Sequence, residues 1–122
     1  MPGGGGQREK GRWGEQAAAD WLKKHGWRIR AKNFSCRFGE VDIVAENREY
    51  LAFVEVKLRK DAAFAEAKEF VSYAKQRRLI STAQYWLALR PTEKQPRFDV
   101  VEIYGRKGAV ASINHIENAY TL

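Results

Sequence analysis

Apolar residues recur along this chain with two periods. In GRWGEQAAADWLKKHG, residues 11–26, Ala17, Ala18, Trp21 and Leu22 repeat at helical spacing, and Gly26 supplies a stop. The helical period returns in SYAKQRRLISTAQYWLALR. There Leu79, Ile80, Ala83, Trp86 and Leu87 form one stripe, Ser72 suits the N-cap and Pro91 follows the end. The other segments carry strand patterns. WRIRAKNF predicts a short strand and SCRFGE a loop. EVDIVAE and YLAFVEVK, joined by the polar NREY, predict a hairpin, and RFDVVEIY and AVASINHI predict two more strands. The order α-β-β-β-α-β-β predicts an α/β fold, a mixed central sheet flanked by helices. MPGGGGQREK is Gly-rich and polar and predicts a flexible arm over residues 1–10, with one domain over residues 11–122.

The predicted hairpin holds charges at even spacing within apolar runs. Successive strand side chains point to opposite faces, so Glu40, Asp42 and Val44 share one face, and Val41, Ile43 and Ala45 the other. In the next strand Phe53, Glu55 and Lys57 share a face. With NREY as the turn, Glu46 pairs with Leu51, Asp42 falls opposite Glu55, and Glu40 opposite Lys57. A slip of one residue would bury Glu55 among Val41 and Ile43 without a partner. The register that protects the core therefore gathers Glu40, Asp42, Glu55 and Lys57.

Two carboxylates in direct opposition repel unless a cation lies between them. Lys57 serves in part. A divalent ion serves better, and Mg²⁺ takes one or two protein carboxylates with water and phosphate oxygens. Such a set suits phosphodiester hydrolysis, with Lys57 orienting water or stabilising developing charge. The plainer alternative is an amphipathic hairpin with a solvated charged face. On the second helix, Lys75 lies four residues before Leu79 and continues its inward stripe. On the first, Glu15 sits at the edge of the apolar face beside Gly14, which permits close approach.

The ordered set resembles a known family. An acid on helix one, then Asp42, then the Glu55-Val56-Lys57 triplet resembles the PD-(D/E)XK nuclease superfamily, with Val41 where that superfamily often has proline. GRWGEQAAADWL, RAKNF, FGEVDIVA, FVEVKLR, YAKQRRL and RFDVVEI together resemble the YraN family of small bacterial proteins. The layout is also similar to archaeal Holliday-junction resolvases. The resemblance implies a restriction-endonuclease-like core and a nuclease site using Mg²⁺ or Mn²⁺. Asp42 and Glu55 would be the metal ligands, Lys57 the catalytic lysine, and Glu15 and Glu40 auxiliary acids. It also implies a DNA substrate, branched or structured, and a homodimer. A nucleic-acid-binding protein that kept the fold without catalysis is the alternative.

Charge agrees with an anionic partner. The chain of 122 residues carries 22 Lys and Arg against 15 Asp and Glu, a formal net charge of +7. Arg37, Arg59, Lys60, Lys75, Arg77 and Arg78 are the candidate nucleic-acid contacts, with Arg28, Arg30 and Lys32 nearby. The single cysteine, Cys36, cannot form an internal disulfide, and no apolar run reaches spanning length. Together these predict a cytoplasmic protein with no membrane partner. Trp13, Trp21, Trp27 and Trp86 are assigned to the core, Arg97 and Asp99 to a structural ion pair, and His25 and His115 to no role.

Overall fold

Local sequence signals set the helix ends. The computed structural model describes residues 5–59 and 72–120. Helix α1 (Gly5–Lys24) stops where Gly26 was expected to end it, and the Trp27 N–H bonds back to the Leu22 carbonyl at 3.0 Å. It begins at Gly5, earlier than the expected Gly11; once a helix is nucleated, each added residue costs little. Of the arm expected over residues 1–10, residues 1–4 lie outside the described residues. Helix α2 (Tyr73–Leu89) is capped by Ser72, whose hydroxyl accepts the Lys75 N–H at 3.2 Å.

The strands are β1 (Arg28–Cys36), β2 (Gly39–Glu46), β3 (Tyr50–Arg59), β4 (Gln95–Arg106) and β5 (Ala109–Tyr120). They form one mixed sheet in the order β1-β2-β3-β4-β5. Neighbours are antiparallel except β3 and β4, which run parallel. A parallel pair needs a crossover, and α2 lies in that connection. The expected element order and fold class are those observed. The expected loop SCRFGE is shorter, because β1 runs through Cys36 and only Arg37 and Phe38 form the turn. Gly39 fits this close turn: a Cβ there would stand 3.2 Å from the Thr82 hydroxyl on α2.

Each face of the sheet buries one helix. Ala18, Ala19 and Leu22 of α1 pack on Ile43, Ala45, Ala52, Val54, Val101 and Ile103. Leu79, Ala83 and Trp86 of α2 pack on Val41, Val44, Leu51, Phe53 and Phe98. All four tryptophans join these clusters, as expected. Strict alternation fails at one place. Val41 lies on the α2 face with Val44, not with Ile43 and Ala45. On β1, Ala31 and Phe34 share that face at the same odd spacing. The β1–β2 register skips the intervening Asn33 and Asp42, and Asn33 has a left-handed backbone with φ of 55°. A local irregularity on both strands thus reverses the parity.

A buried ionic knot lies on the α1 face of β4. Asp99 is 0% exposed and takes two bonds of 2.9 Å from Arg97. His115 Nε2 lies 2.7 Å from Asp99 Oδ2, and the Asn118 N–H donates to Oδ1 at 2.9 Å. The expected Arg97–Asp99 pair is present, whereas His115 has a structural role that its sequence position did not announce. Burial alone would raise the Asp99 carboxyl, but bonds from His115, Arg97 and Asn118 hold it below the usual carboxylate range. Its contribution to stability is therefore present above the ordinary value and is lost as pH falls through the lowered one. Replacing Asp99 with Ala leaves the buried Arg97 guanidinium with only the exposed Glu117 carboxylate, 3.9 Å away, in place of two short bonds. The expected loss is about 3–5 kcal/mol in urea denaturation at neutral pH, narrowing in acid. A loss under about 1 kcal/mol would show that the knot adds little.

Candidate active site

The hairpin register is the expected one where it is formed: Glu46 pairs with Leu51 and the ladder continues to Ile43 with Val54. There it stops. Asp42 and Glu55 do not form the next pair. Instead Asp42 Oδ2 accepts the Val56 N–H at 2.8 Å, so a side chain takes the place of a backbone carbonyl. Past this point β2 and β3 no longer pair. Glu55 follows Phe53 onto the α2 face and is 6% exposed. Lys57 Nζ lies 3.3 Å from Glu55 Oε2, and Lys75 of α2 forms an ion pair with the same oxygen. Glu55 Oε1 is buried with no hydrogen-bond partner among the described residues.

Glu15 comes from the other side of the sheet. Its Oε1 accepts from Asn33 Nδ2 at 2.6 Å, the residue opposite Asp42 whose backbone is left-handed. Gly14 brings α1 close at this level: a Cβ there would stand 2.5 Å from Leu58 Cδ2. Asp42 thus sits between charges from both helices. Burial pushes its carboxyl up to about 6; the Val56 N–H and Lys75 oppose the rise, while Glu15 and Glu55 add to it. Burial works against the Lys75 ammonium, but Glu55 and Asp42 hold it above the ordinary lysine value.

Four of the five acids and lysines named as catalytic therefore gather here: Asp42, Glu55, Lys57 and Glu15, with Lys75 beside them. Glu40 does not join them. It is exposed and pairs with Ser35 across β1. The reason is the end of the β2–β3 ladder, beyond which no register holds Glu40 opposite Lys57. Of the candidate phosphate contacts, Arg37, Arg77 and Arg78 are exposed, and Lys60 lies outside the described residues. Arg59 is half-buried and pairs with Glu102 at 3.7 Å. Arg28 and Arg30 pair with Glu46, and Lys32 donates to Gln16. Sequence reasoning missed Glu102. It lies beside Lys57 in the parallel β3–β4 register, is buried, and accepts from Tyr104 and Asn114. Its signal was an acid inside the apolar run VVEIY.

Among the described residues, no three His, Cys, Asp or Glu side chains group as a metal site. Two carboxylates suffice for Mg²⁺, which completes its shell with water and phosphate oxygens. The donor set fits that ion, since Glu55 retains a buried oxygen without a partner.

Comparison with known proteins assigns the chain to a family. The family model described as "Uncharacterised protein family UPF0102" matches residues 14–103. The chain belongs to the UPF0102 family. This is the YraN family that the motifs resembled, and the PD-(D/E)XK assignment is consistent with it. The matched span runs from the α1 glycine at the Leu58 contact to β4, and so includes every gathered site residue. A UPF0102 protein of Myxococcus xanthus strain DK1622 is 43% identical over 93% of this chain and 90% of its own length. One from Trichlorobacter lovleyi is 42% identical over 98% of this chain and 95% of its own. One from Caldanaerobacter subterraneus is 39% identical, covering 88% and 90%. Among the described residues, no helix of this UPF0102 protein is long and apolar enough to cross a membrane.

A raised carboxyl aids folding fully below its ordinary value of 3.8 and loses that contribution as pH climbs through about 6. Asp42→Asn keeps an acceptor for Val56 and removes the buried charge. In EDTA the variant is expected to exceed the parent in stability by roughly 1–3 kcal/mol near pH 8, the gap closing near pH 4. Urea denaturation at both pH values checks this, and a pH-independent difference would count against a buried charged carboxylate.

Proposed function

We propose that this UPF0102 protein is a metal-dependent nuclease that hydrolyses phosphodiester bonds in DNA, with branched or structured DNA as the favoured substrate. One observation carries the reading: β2 and β3 part at Asp42, leaving Asp42 and Glu55 together with Lys57 and Lys75 in one half-buried site. Asp42 and Glu55 would hold Mg²⁺ or Mn²⁺. Such an ion lowers the pKa of bound water and offsets charge on the phosphate. Lys57 is fixed on β3 by its pairing with Glu55, and it stabilises charge that develops on the reacting phosphate. Lys75 approaches from α2 and exchanges its carboxylate partner for a phosphate oxygen when substrate binds. Glu15 holds Asn33 and so keeps β1 in the conformation that leaves Asp42 unpaired.

A second reading has its own support. Both lysines already neutralise Glu55, as they would in a nucleic-acid-binding protein without catalysis. A cleavage assay separates the two. Flapped, four-way, single-stranded and duplex DNA are incubated with Mg²⁺ or Mn²⁺. Asp42→Asn is expected to abolish cleavage and Lys57→Ala to slow it by at least roughly 100-fold, with DNA affinity retained. Unchanged cleavage in both variants would reject the site. Binding without cleavage under either metal would favour the second reading.

A further inference from the structure

A patch of rings and arginines lies along α2, away from the carboxylates. The β1–β2 turn brings Phe38 against Tyr85 of α2, with ring centres 6.1 Å apart. These two rings are 40% and 38% exposed, although both belong to large apolar side chains. Beneath them Phe34 and the buried Trp86 meet edge to face at 5.0 Å and form a rigid floor. Arginines surround the rings. Arg37 lies 5.1 Å over Phe38, and Arg90 lies 4.0 Å over Trp86. Arg78 stands on the same helix with its Cβ beside Gly39 of the turn. Among the described residues Arg37, Arg78 and Arg90 form no ion pair with a carboxylate.

The patch and the carboxylate site lie at opposite ends of one helix. Lys75, Arg78, Tyr85 and Leu89 recur at helical spacing on one side of α2, with the buried Thr82 between Arg78 and Tyr85. At about 1.5 Å per residue, Tyr85 is roughly 15 Å along the axis from Lys75. The stripe begins at the ion pair with Glu55 and ends at the exposed rings. Helix α2 contains Lys75, Arg77 and Arg78 and no Asp or Glu. A basic track with exposed rings at one end matches a single nucleic-acid strand, whose phosphates take cations and whose unpaired bases stack on aromatic faces. Paired bases in a duplex have no free face to offer.

We propose that Phe38 and Tyr85 form a stacking platform for unpaired nucleotides, with Arg37, Arg78 and Arg90 holding the strand's phosphates. The platform makes a single-stranded segment, next to the strand to be cut, part of what this protein recognises. That placement rests on the nuclease reading; the binding itself does not.

The test is fluorescence anisotropy in EDTA, with labelled oligothymidylate and a duplex of equal length. Phe38→Leu and Tyr85→Leu keep apolar volume and remove the aromatic face. Each is expected to weaken oligothymidylate binding about 10-fold and to leave duplex binding within about 2-fold. Phe38→Trp and Tyr85→Trp are expected to restore parental affinity. Arg37→Ala is expected to lower the salt slope by about 0.7, whereas the ring variants leave it unchanged. Parental affinity for oligothymidylate in the Phe38→Leu/Tyr85→Leu double variant, with unchanged circular dichroism, would overturn the proposal. So would loss of a dimer in that variant with affinity unchanged, which would assign the patch to a second copy of the chain. Neither result depends on cleavage, so failure of the carboxylate site and failure of the platform are read separately.

Discussion

The bond from the Val56 N–H to Asp42 is the constraint on which the site depends. Two antiparallel strands that continued to pair would align Asp42 with Glu55 and keep both in the plane of a regular sheet. A carboxylate that accepts a backbone N–H satisfies the donor exposed when the ladder ends. The strands can then separate without leaving a buried amide unpaired, which would cost on the order of 1–3 kcal/mol. Asn33 makes the matching adjustment on β1, with its left-handed backbone and its bond to Glu15. Three elements, α1, β1 and β2, thus cooperate to hold one carboxylate off its regular position.

Electrostatics explains why the opening stays small and charged. Glu55 is buried, and two lysines from different elements meet one of its oxygens, which compensates the buried carboxylate. The other oxygen is left without a partner, and Asp42 nearby resists ionisation because burial dominates its surroundings. Opposed charges at close quarters with an unfilled acceptor are unfavourable for folding, and the proposed cation and phosphate would relieve them. The sheet offsets this with a packed core and with paired buried charges elsewhere. Central strands β3 and β4 bury both faces, and the Asp99 knot on the opposite face pairs every ionic group it buries.

Much of the site was legible in the chain. Parity along β3 put Glu55 and Lys57 with Phe53, and the helical stripe carried Lys75 inward, because both elements are regular where those residues lie. Gly14 beside Glu15 pointed to close packing, and Leu58 is the side chain it meets. Legibility ended where regularity ended. Glu40 was assigned to the site by extending a ladder that stops at Ile43, and Val41 was assigned to the wrong face by the same assumption. Glu102 and His115 were missed because each has a partner on another strand, Asn114 and Asp99, at a sequence distance that no local pattern reports.

By itself the sequence determined the element types, their order, the hairpin register near its turn and the family, since each follows from local periodicity, capping chemistry or ordered motifs. Tertiary structure decided where β2 and β3 part, which acids meet Lys75, and how the β1–β2 turn rests on α2 to expose Phe38 and Tyr85. Those outcomes depend on packing between residues far apart in the chain. There a single backbone irregularity reverses which face a side chain joins, and only the assembled sheet and helices fix where it falls.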